Sequence, residues 1–446
     1  MALTTLFLDF NSYFASVEQH LRPSLRGQPL VVTPMLVPSA CCIATSIEAK
    51  RFGVTTGMTL AQAQAACPQV IAVRARHRAY IDMHHRLIGV IESCLPVDQV
   101  HSVDEVSCRL SRSEQSEHAA IDLAERIKTK IASEVGESLR CSIGLATNRV
   151  LAKLATDLQK PDGLVVIRRE DLPDRLLDIR LTAFPGIGAR TAARLAKAGI
   201  TDVAGLHARS ICELESAWGS VLGRHWWHWI RGEETERHSR RYRSMGHQHV
   251  LGPRHRNDAG AWEIAVRLLT KAAARMRRVG YWATGLGVSM RLGVRGNAQW
   301  WEAWASLEGG CRDTLRMLRV LARVWAGRPA GTPLFVGVTL TDLMHEQSVT
   351  TPLFAPERAS AVLSDVIDRI NERFGFDAIF PALLSGARRT SPGGIAFSSV
   401  PNAADFPLTA DDAQDAMGND SCRMIVHEDK QRRSRPYTQR TDQYES

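Results

Sequence analysis

Apolar Leu6, Phe7 and Leu8 run together and stop at Asp9, the pattern of a short buried strand ending in a carboxylate, and a helix is expected from about Ser12 to Leu21. Further strands are predicted at Leu30 to Thr33, Val70 to Val73, Gln99 to Val103 and Val106 to Leu110. Ala120, Ala124, Ile127, Ile131 and Val135 recur at three- and four-residue spacing, so the segment from Glu117 to Val135 reads as an amphipathic helix. Leu139, Cys141, Ile143 and Leu145 then alternate with small or polar residues, as in a half-buried strand. The first 167 residues are therefore expected to be α/β, with strand ends free to carry a site.

After Ile167 the pattern shortens into small helical pieces. LTAFPGIGARTAARLAKAGI reads as two helices joined by Pro185-Gly186-Ile187-Gly188. A basic linker follows around residues 231 to 256, which hold seven arginines against three glutamates. Beyond it come a strand (His247 to Leu251), a helix (Asp258 to Val279), two strands (Gly285 to Leu292 and Gln299 to Leu307), a helix (Asp313 to Ala326) and a strand (Leu334 to Thr341). A four-stranded sheet covered by two helices is the economical assembly of these pieces. A shorter helix is expected at Pro356 to Phe374, and the last stretch, rich in Asp, Arg, Gln and Ser, has the composition of a largely disordered tail.

At 446 residues the chain exceeds one ordinary core, so several compact units are expected. No stretch offers the ~20 uninterrupted apolar residues of a membrane span. MALTTLFLDF lacks the basic flank and cleavage site of a secretory signal, which points to a cytoplasmic protein without a membrane partner. Nine cysteines without a C-x-x-C pair signal neither a zinc site nor a disulfide framework and read as reduced, mostly buried hydrophobes. A net charge of +9 favours a polyanionic partner.

The sharpest local feature is Ser102-Val103-Asp104-Glu105 at a predicted strand end, set against Asp9. Three carboxylates brought together repel unless cations stand between them, as in a two-metal phosphoryl-transfer site. Adjacent acids after a strand also cap helices or face water, so these residues alone leave both readings open.

FLDFNSYFASVEQHLRPSLRGQPLVV, CCIATSIEAKRFGVTTGM, HSVDE, CSIGLATNRVLAKLATDLQKPDGLVV and FPGIGARTAARLAKAGI occur in that order. In these stretches the chain resembles the Y-family translesion DNA polymerases, over about residues 3 to 340. The resemblance implies a multidomain α/β and α+β right-hand polymerase. Its palm would span 1–24 and 78–167, its fingers 25–77 and a thumb with a helix-hairpin-helix module 168–234. A basic linker at 235–245, a little finger at 246–342 and a C-terminal extension at 343–446 would complete it.

The same resemblance carries residue roles. Asp9, Asp104, Glu105 and the backbone carbonyl of Phe10 would hold two Mg²⁺ ions. Tyr13, Lys50 and Lys160 would meet the incoming triphosphate, and Phe14 would stand beneath its sugar as a steric gate against a 2′-hydroxyl. Gly186 and Gly188 would bring backbone N–H groups to a DNA phosphate. Arg240, Arg241 and Arg243 lie where the linker passes the duplex, either touching phosphates or serving as a solvated tether. Thr351-Pro352-Leu353-Phe354 sits where bacterial relatives carry a sliding-clamp peptide, with Leu353 and Phe354 as anchors but without the usual leading glutamine. The fingers tyrosine is replaced by Ile47, for which Ser46 is the candidate substitute donor, and the usual arginine of that motif is Lys50. Trp226, Trp227, Trp229, Trp300, Trp301 and Trp304 either stack on bases or, as expected for most of them, pack cores and cover a sheet face.

The implied activity is low-fidelity, template-directed addition of deoxynucleotides to a primer 3′ end by a monomeric enzyme. A non-catalytic adaptor that binds DNA and clamp, and a metal-dependent nuclease, are the alternatives.

Overall fold

A computed structural model describes residues 2–235, 242–294, 297–349, 355–374 and 378–382. Arg240, Arg241, Leu353, Phe354 and the expected disordered tail lie outside the described residues. The chain divides into two compact units, with the division falling along the sequence after residue 236.

The first unit opens with β1 (Thr5–Phe10), α1 (Tyr13–Leu21), β2 (Leu30–Thr33), β3 (Ala44–Thr45), α2 (Ile47–Arg51), α3 (Leu60–Ala66) and β4 (Ile71–Arg74). Next come α4 (His77–Glu92), β5 (Val97–Val100), β6 (Glu105–Arg109), α5 (Glu117–Glu134), β7 (Cys141–Ala146), α6 (Arg149–Leu158) and β8 (Leu164–Ile167). Four short helices close it: α7 (Ala189–Lys197), α8 (Val203–Ala208), α9 (Ile211–Trp218) and α10 (Leu222–Trp229). Strands β5-β6-β1-β7-β8 form one sheet, and β3-β2-β4 form a smaller one.

β1 lies at the centre of the larger sheet, and all six of its residues are buried. Side chains alternate along a strand. Leu6, Leu8 and Phe10 therefore join the core under α4 and α5, while Phe7 joins the one under α6. Asp9 has the parity of Phe7 and so emerges on the α6 side. Gly144 of β7, paired with Phe7, lets α6 come close: a Cβ there would stand 2.0 Å from the Ala152 carbonyl oxygen.

Two expectations need correction. The strand predicted to reach Val103 ends at Val100, and residues 101–104 form the turn of a β5–β6 hairpin, closed by His101 N–H donating to the Glu105 carbonyl at 2.8 Å. The first helix expected in the Pro185 motif is only the 3-10 turn Leu181–Ala183, because the residue before a proline is driven out of the helical region and Phe184 is extended. Helices α4 and α6 were not anticipated at all.

The second unit comprises β9 (Ser244–Val250), α11 (Asp258–Arg278), β10 (Tyr281–Val294), β11 (Asn297–Cys311), α12 (Thr314–Ala326), β12 (Thr332–His345) and α13 (Ala355–Phe374). Its antiparallel sheet runs β11-β10-β12-β9, with α11 and α12 packed on one face. Buried Leu286, Val288 and Met290 face those helices. The alternate positions Gly285, Gly287 and Ser289 line the open face, where Trp304 lies over Gly287 so closely that a Cβ would stand 2.2 Å from its ring. Trp226 and Trp301 pack against cores as expected, whereas Trp300 and Trp304 are 58% and 60% exposed on the open face. Of the eight described cysteines all are free, with only Cys41 and Cys212 exposed.

Candidate active site

Strand register brings the acids together. Asp9, 5% exposed, pairs directly across the ladder with Glu105, the first residue of β6. Asp104 precedes it in the hairpin turn, and its carbonyl accepts a hydrogen bond from Phe10 N–H at 2.9 Å, which ties the turn to the end of β1. Ser102 Oγ donates to the Asp104 carboxylate and accepts from Asp104 N–H at 3.3 Å.

Helix α6 and the turn after it supply the countercharges. Asn148 starts α6 by accepting from Leu151 N–H at 2.9 Å. One turn on, Lys153 Nζ contacts Asp9 Oδ2 and lies 2.9 Å from Glu105 Oε1. Lys160 Nζ is 2.8 Å from both Asp9 Oδ2 and Asp157 Oδ1. Asn11 holds the Lys160 turn in place, since its Oδ1 accepts from Asp162 N–H at 2.7 Å while its amide donates to Ser142 Oγ at 3.1 Å. Lys50 reaches the same region from α2, donating to Ser12 Oγ at 2.9 Å.

The electrostatics follow from this crowding. Burial holds the Asp104 carboxyl above its usual range, opposed by the Ser102 hydrogen bond and reinforced by the charge of Asp9. Glu105 is likewise raised by burial, with Lys153 working against the rise. For Lys153 burial disfavours the charge, but Asp9, Glu105 and Asp157 outweigh it and push the ammonium above the ordinary lysine range. Lys50 is lowered by desolvation and by neighbouring Lys160.

Among the described residues no three acidic, imidazole or thiol groups are gathered ready-made around one cation position. Two ammonium groups stand on the carboxylates instead. An all-oxygen donor set that already accepts cationic groups fits a hard divalent ion.

Beside the acids lies an aromatic floor. Phe14, half-buried, stacks on Tyr80 with ring centroids 4.4 Å apart. Tyr80 OH donates to Glu18 Oε1 at 2.7 Å, and Arg76 binds the same carboxylate through Nε and Nη2 at 3.0 and 2.7 Å. Glu18, Arg76 and Tyr80 are all essentially closed to solvent. Tyr13 departs from its expected use, because its ring is buried and its hydroxyl donates to the Tyr80 carbonyl at 2.7 Å. What Tyr13 leaves for an anion is its backbone N–H in the first turn of α1. Ser46 is not a substitute donor for Ile47: its hydroxyl is buried, caps α2 by accepting from Ala49 N–H and also donates to the Gln28 carbonyl.

The remaining expected residues lie elsewhere. Gly186 has φ +96°, a left-handed conformation that suits glycine, and Gly188 sits uncapped at the N-terminus of α7 with open space over its Cα. Arg243 is exposed just before β9 in the second unit. Sequence reasoning missed Lys153, Asn11, Ser142 and the Glu18–Arg76 pair. Lys153 was legible as one turn before Asp157 and two before Lys160 once α6 is granted; the others depend on contacts distant in sequence.

The impB/mucB/samB family profile matches residues 8–157. The chain is 32% identical over 395 residues to DNA polymerase IV of Moorella thermoacetica, covering 86% of this chain and 96% of the relative. It is 30% identical to DNA polymerase IV of Pelotomaculum thermopropionicum with the same coverage. Among solved structures, a Y-family DNA polymerase chimera of Dbh and Dpo4 superposes with a TM-score of 0.64 at 24% identity, over 77% of this chain and 99% of that one. An insertion ternary complex of Dbh DNA polymerase gives 0.53 with the same identity and coverage. The matching folds and near full-length relatives leave one conclusion: this chain belongs to the Y-family DNA polymerases, on the bacterial DNA polymerase IV branch.

Proposed function

We propose that Asp9, Asp104 and Glu105 are the catalytic carboxylates of this DNA-directed DNA polymerase, whose function is translesion synthesis in DNA repair and damage tolerance. The observation that supports the assignment most is the convergence of these acids with Lys50, Lys153 and Lys160 beside the Phe14–Tyr80 stack. Asp9, Asp104, Glu105 and the Phe10 carbonyl would hold two Mg²⁺ ions, which when bound would supply activation of the primer 3′-hydroxyl and bracing of the leaving pyrophosphate. Lys160 and Lys50 donate to the triphosphate oxygens, joined by backbone N–H groups at the start of α1. Ile47 offers no donor, so the grip on the nucleotide rests more heavily on those lysines.

In this reading the five-stranded sheet is the palm, the smaller sheet with α2 and α3 the fingers, and α7 to α10 the thumb. The second unit is the little finger. Gly186 and Gly188 meet a phosphate of the primer-template, and Arg243 meets another.

Extension of a labelled primer with deoxynucleotides tests the function. Lengthened primer is expected; shortened primer would reveal a nuclease, and DNA binding without extension an adaptor.

Phe14→Ala is expected to raise ribonucleotide incorporation relative to deoxynucleotide by roughly 10²-fold, because the wall against the 2′-hydroxyl is removed. Single-nucleotide insertion kinetics check it, and an unchanged sugar ratio would remove Phe14 from the gate. Leu353→Ala with Phe354→Ala is expected to abolish binding to the bacterial sliding clamp while leaving extension on short templates intact. Clamp binding that survives in surface plasmon resonance would exclude this peptide as the anchor.

A further inference from the structure

The edge of the second unit's sheet carries a feature outside the residues assigned to the proposed polymerase site. β11 is 15 residues long and forms the outer strand; it contains neither proline nor lysine, and although Glu302 lies in it and its register with β10 breaks between Ser306 and Cys311, it keeps a regular edge from Asn297 to Ser306. Beside it runs a groove of about 510 Å³, walled on one side by Ala305 to Glu308 and on the other by Arg316, Arg319 and Arg323 of α12. The arginines recur at helical spacing, so they form one row facing the strand. Arg316 donates to the Glu308 carbonyl at 2.9 Å. Among the described residues neither Arg319 nor Arg323 has a carboxylate partner, and both are exposed.

We propose that this groove docks an acidic peptide in extended conformation, added as a fifth strand along the regular part of β11, Asn297–Ser306, with its carboxylates on the arginine row. An edge strand turns every second N–H and C=O outward, and main-chain pairing there supplies affinity while side chains of one parity supply selectivity. Three guanidinium groups on one flank select negative charge. A second copy of this chain pairing edge to edge would bring its own arginine row against this one. A nucleic-acid backbone would meet the arginines but leave the outward peptide groups of β11 unpaired.

The test is fluorescence anisotropy of the full chain with a fluorescein-labelled peptide alternating glutamate and valine. Saturable binding is expected. It should weaken roughly ten-fold or more in the Arg316→Glu, Arg319→Glu, Arg323→Glu triple variant, and similarly when alternate peptide amides are N-methylated. The triple variant should retain primer extension on short templates, which shows that it is folded. Equal affinity of the triple variant, or indifference to N-methylation, would overturn the proposal. So would a triple variant that loses affinity for oligothymidylate but not for the peptide, because the row would then serve nucleic acid.

Discussion

Asp104→Asn should reduce primer extension by roughly 10³-fold or more, the equivalent of about 4 kcal/mol of lost transition-state stabilisation, and at the same time raise the melting temperature of the metal-free chain. Both effects come from one cause. Asp104 is held above the usual carboxylate range by burial and by the nearby charge of Asp9, so its ionised form costs folding energy that a neutral amide does not. The sign has a pH consequence. For Asp104 and Glu105 the folded pKa lies above the unfolded one, so the cost is fully present above the folded values. It is relieved as pH falls through the folded values and is gone below the unfolded values of about 3.9 and 4.3. The thermal advantage of Asp104→Asn over the parent, measured by calorimetry in chelator, should therefore shrink on acidification. A variant that is less stable than the parent at neutral pH would show that Asp104 is a structural anchor.

Arg76→Ala is expected to cost about 3 kcal/mol in urea unfolding of the first unit, because it leaves the buried Glu18 carboxylate with only the 3.9 Å contact of Arg22 as countercharge. Glu18 accepts two hydrogen bonds from Arg76 and one from Tyr80, so the pair is fully satisfied only as a set. Replacing both charges by apolar groups of similar volume, Glu18→Leu with Arg76→Met, should recover most of the loss, although the Tyr80 hydroxyl and Arg22 lose the Glu18 carboxylate. A single variant within 1 kcal/mol of the parent (about five-fold in the folding equilibrium) would mean that water or Arg22 takes the place of Arg76 at Glu18. The pair also backs the ring on which Phe14 rests, so the double variant separates stability from sugar discrimination.

How far these features were readable from the sequence depends on how local their causes are. The run Leu6-Phe7-Leu8 announces β1, and ladder register then places Asp9 opposite Glu105. The four-stranded sheet with α11 and α12 was legible because each of its elements carries its own hydrophobic period. The hairpin turn at residues 101–104 was not, since Val103 continues the apolar pattern although its backbone has already left the strand. Helix α4 escaped although Tyr80, Ile81, His84, Leu87, Ile88 and Ile91 lie on one buried face, because two histidines and an arginine interrupt the run. Lys153 lies 144 positions from Asp9, and nothing in either neighbourhood announces that Gly144 brings them into contact. Ser46 was misjudged for the same reason: a hydroxyl looks free until the backbone groups it serves are known.

The ammonium groups resting on Asp9 and Glu105 carry a consequence for how the enzyme waits. A cluster of bare carboxylates would push itself apart, whereas the repulsion in this one is offset in part by side chains tethered to α6 and the turn after it. A divalent ion held by these carboxylates would take the place of the ammonium groups and leave Lys153 and Lys160 to meet another negative group. The array is thus held together by cations of its own chain before any metal ion binds.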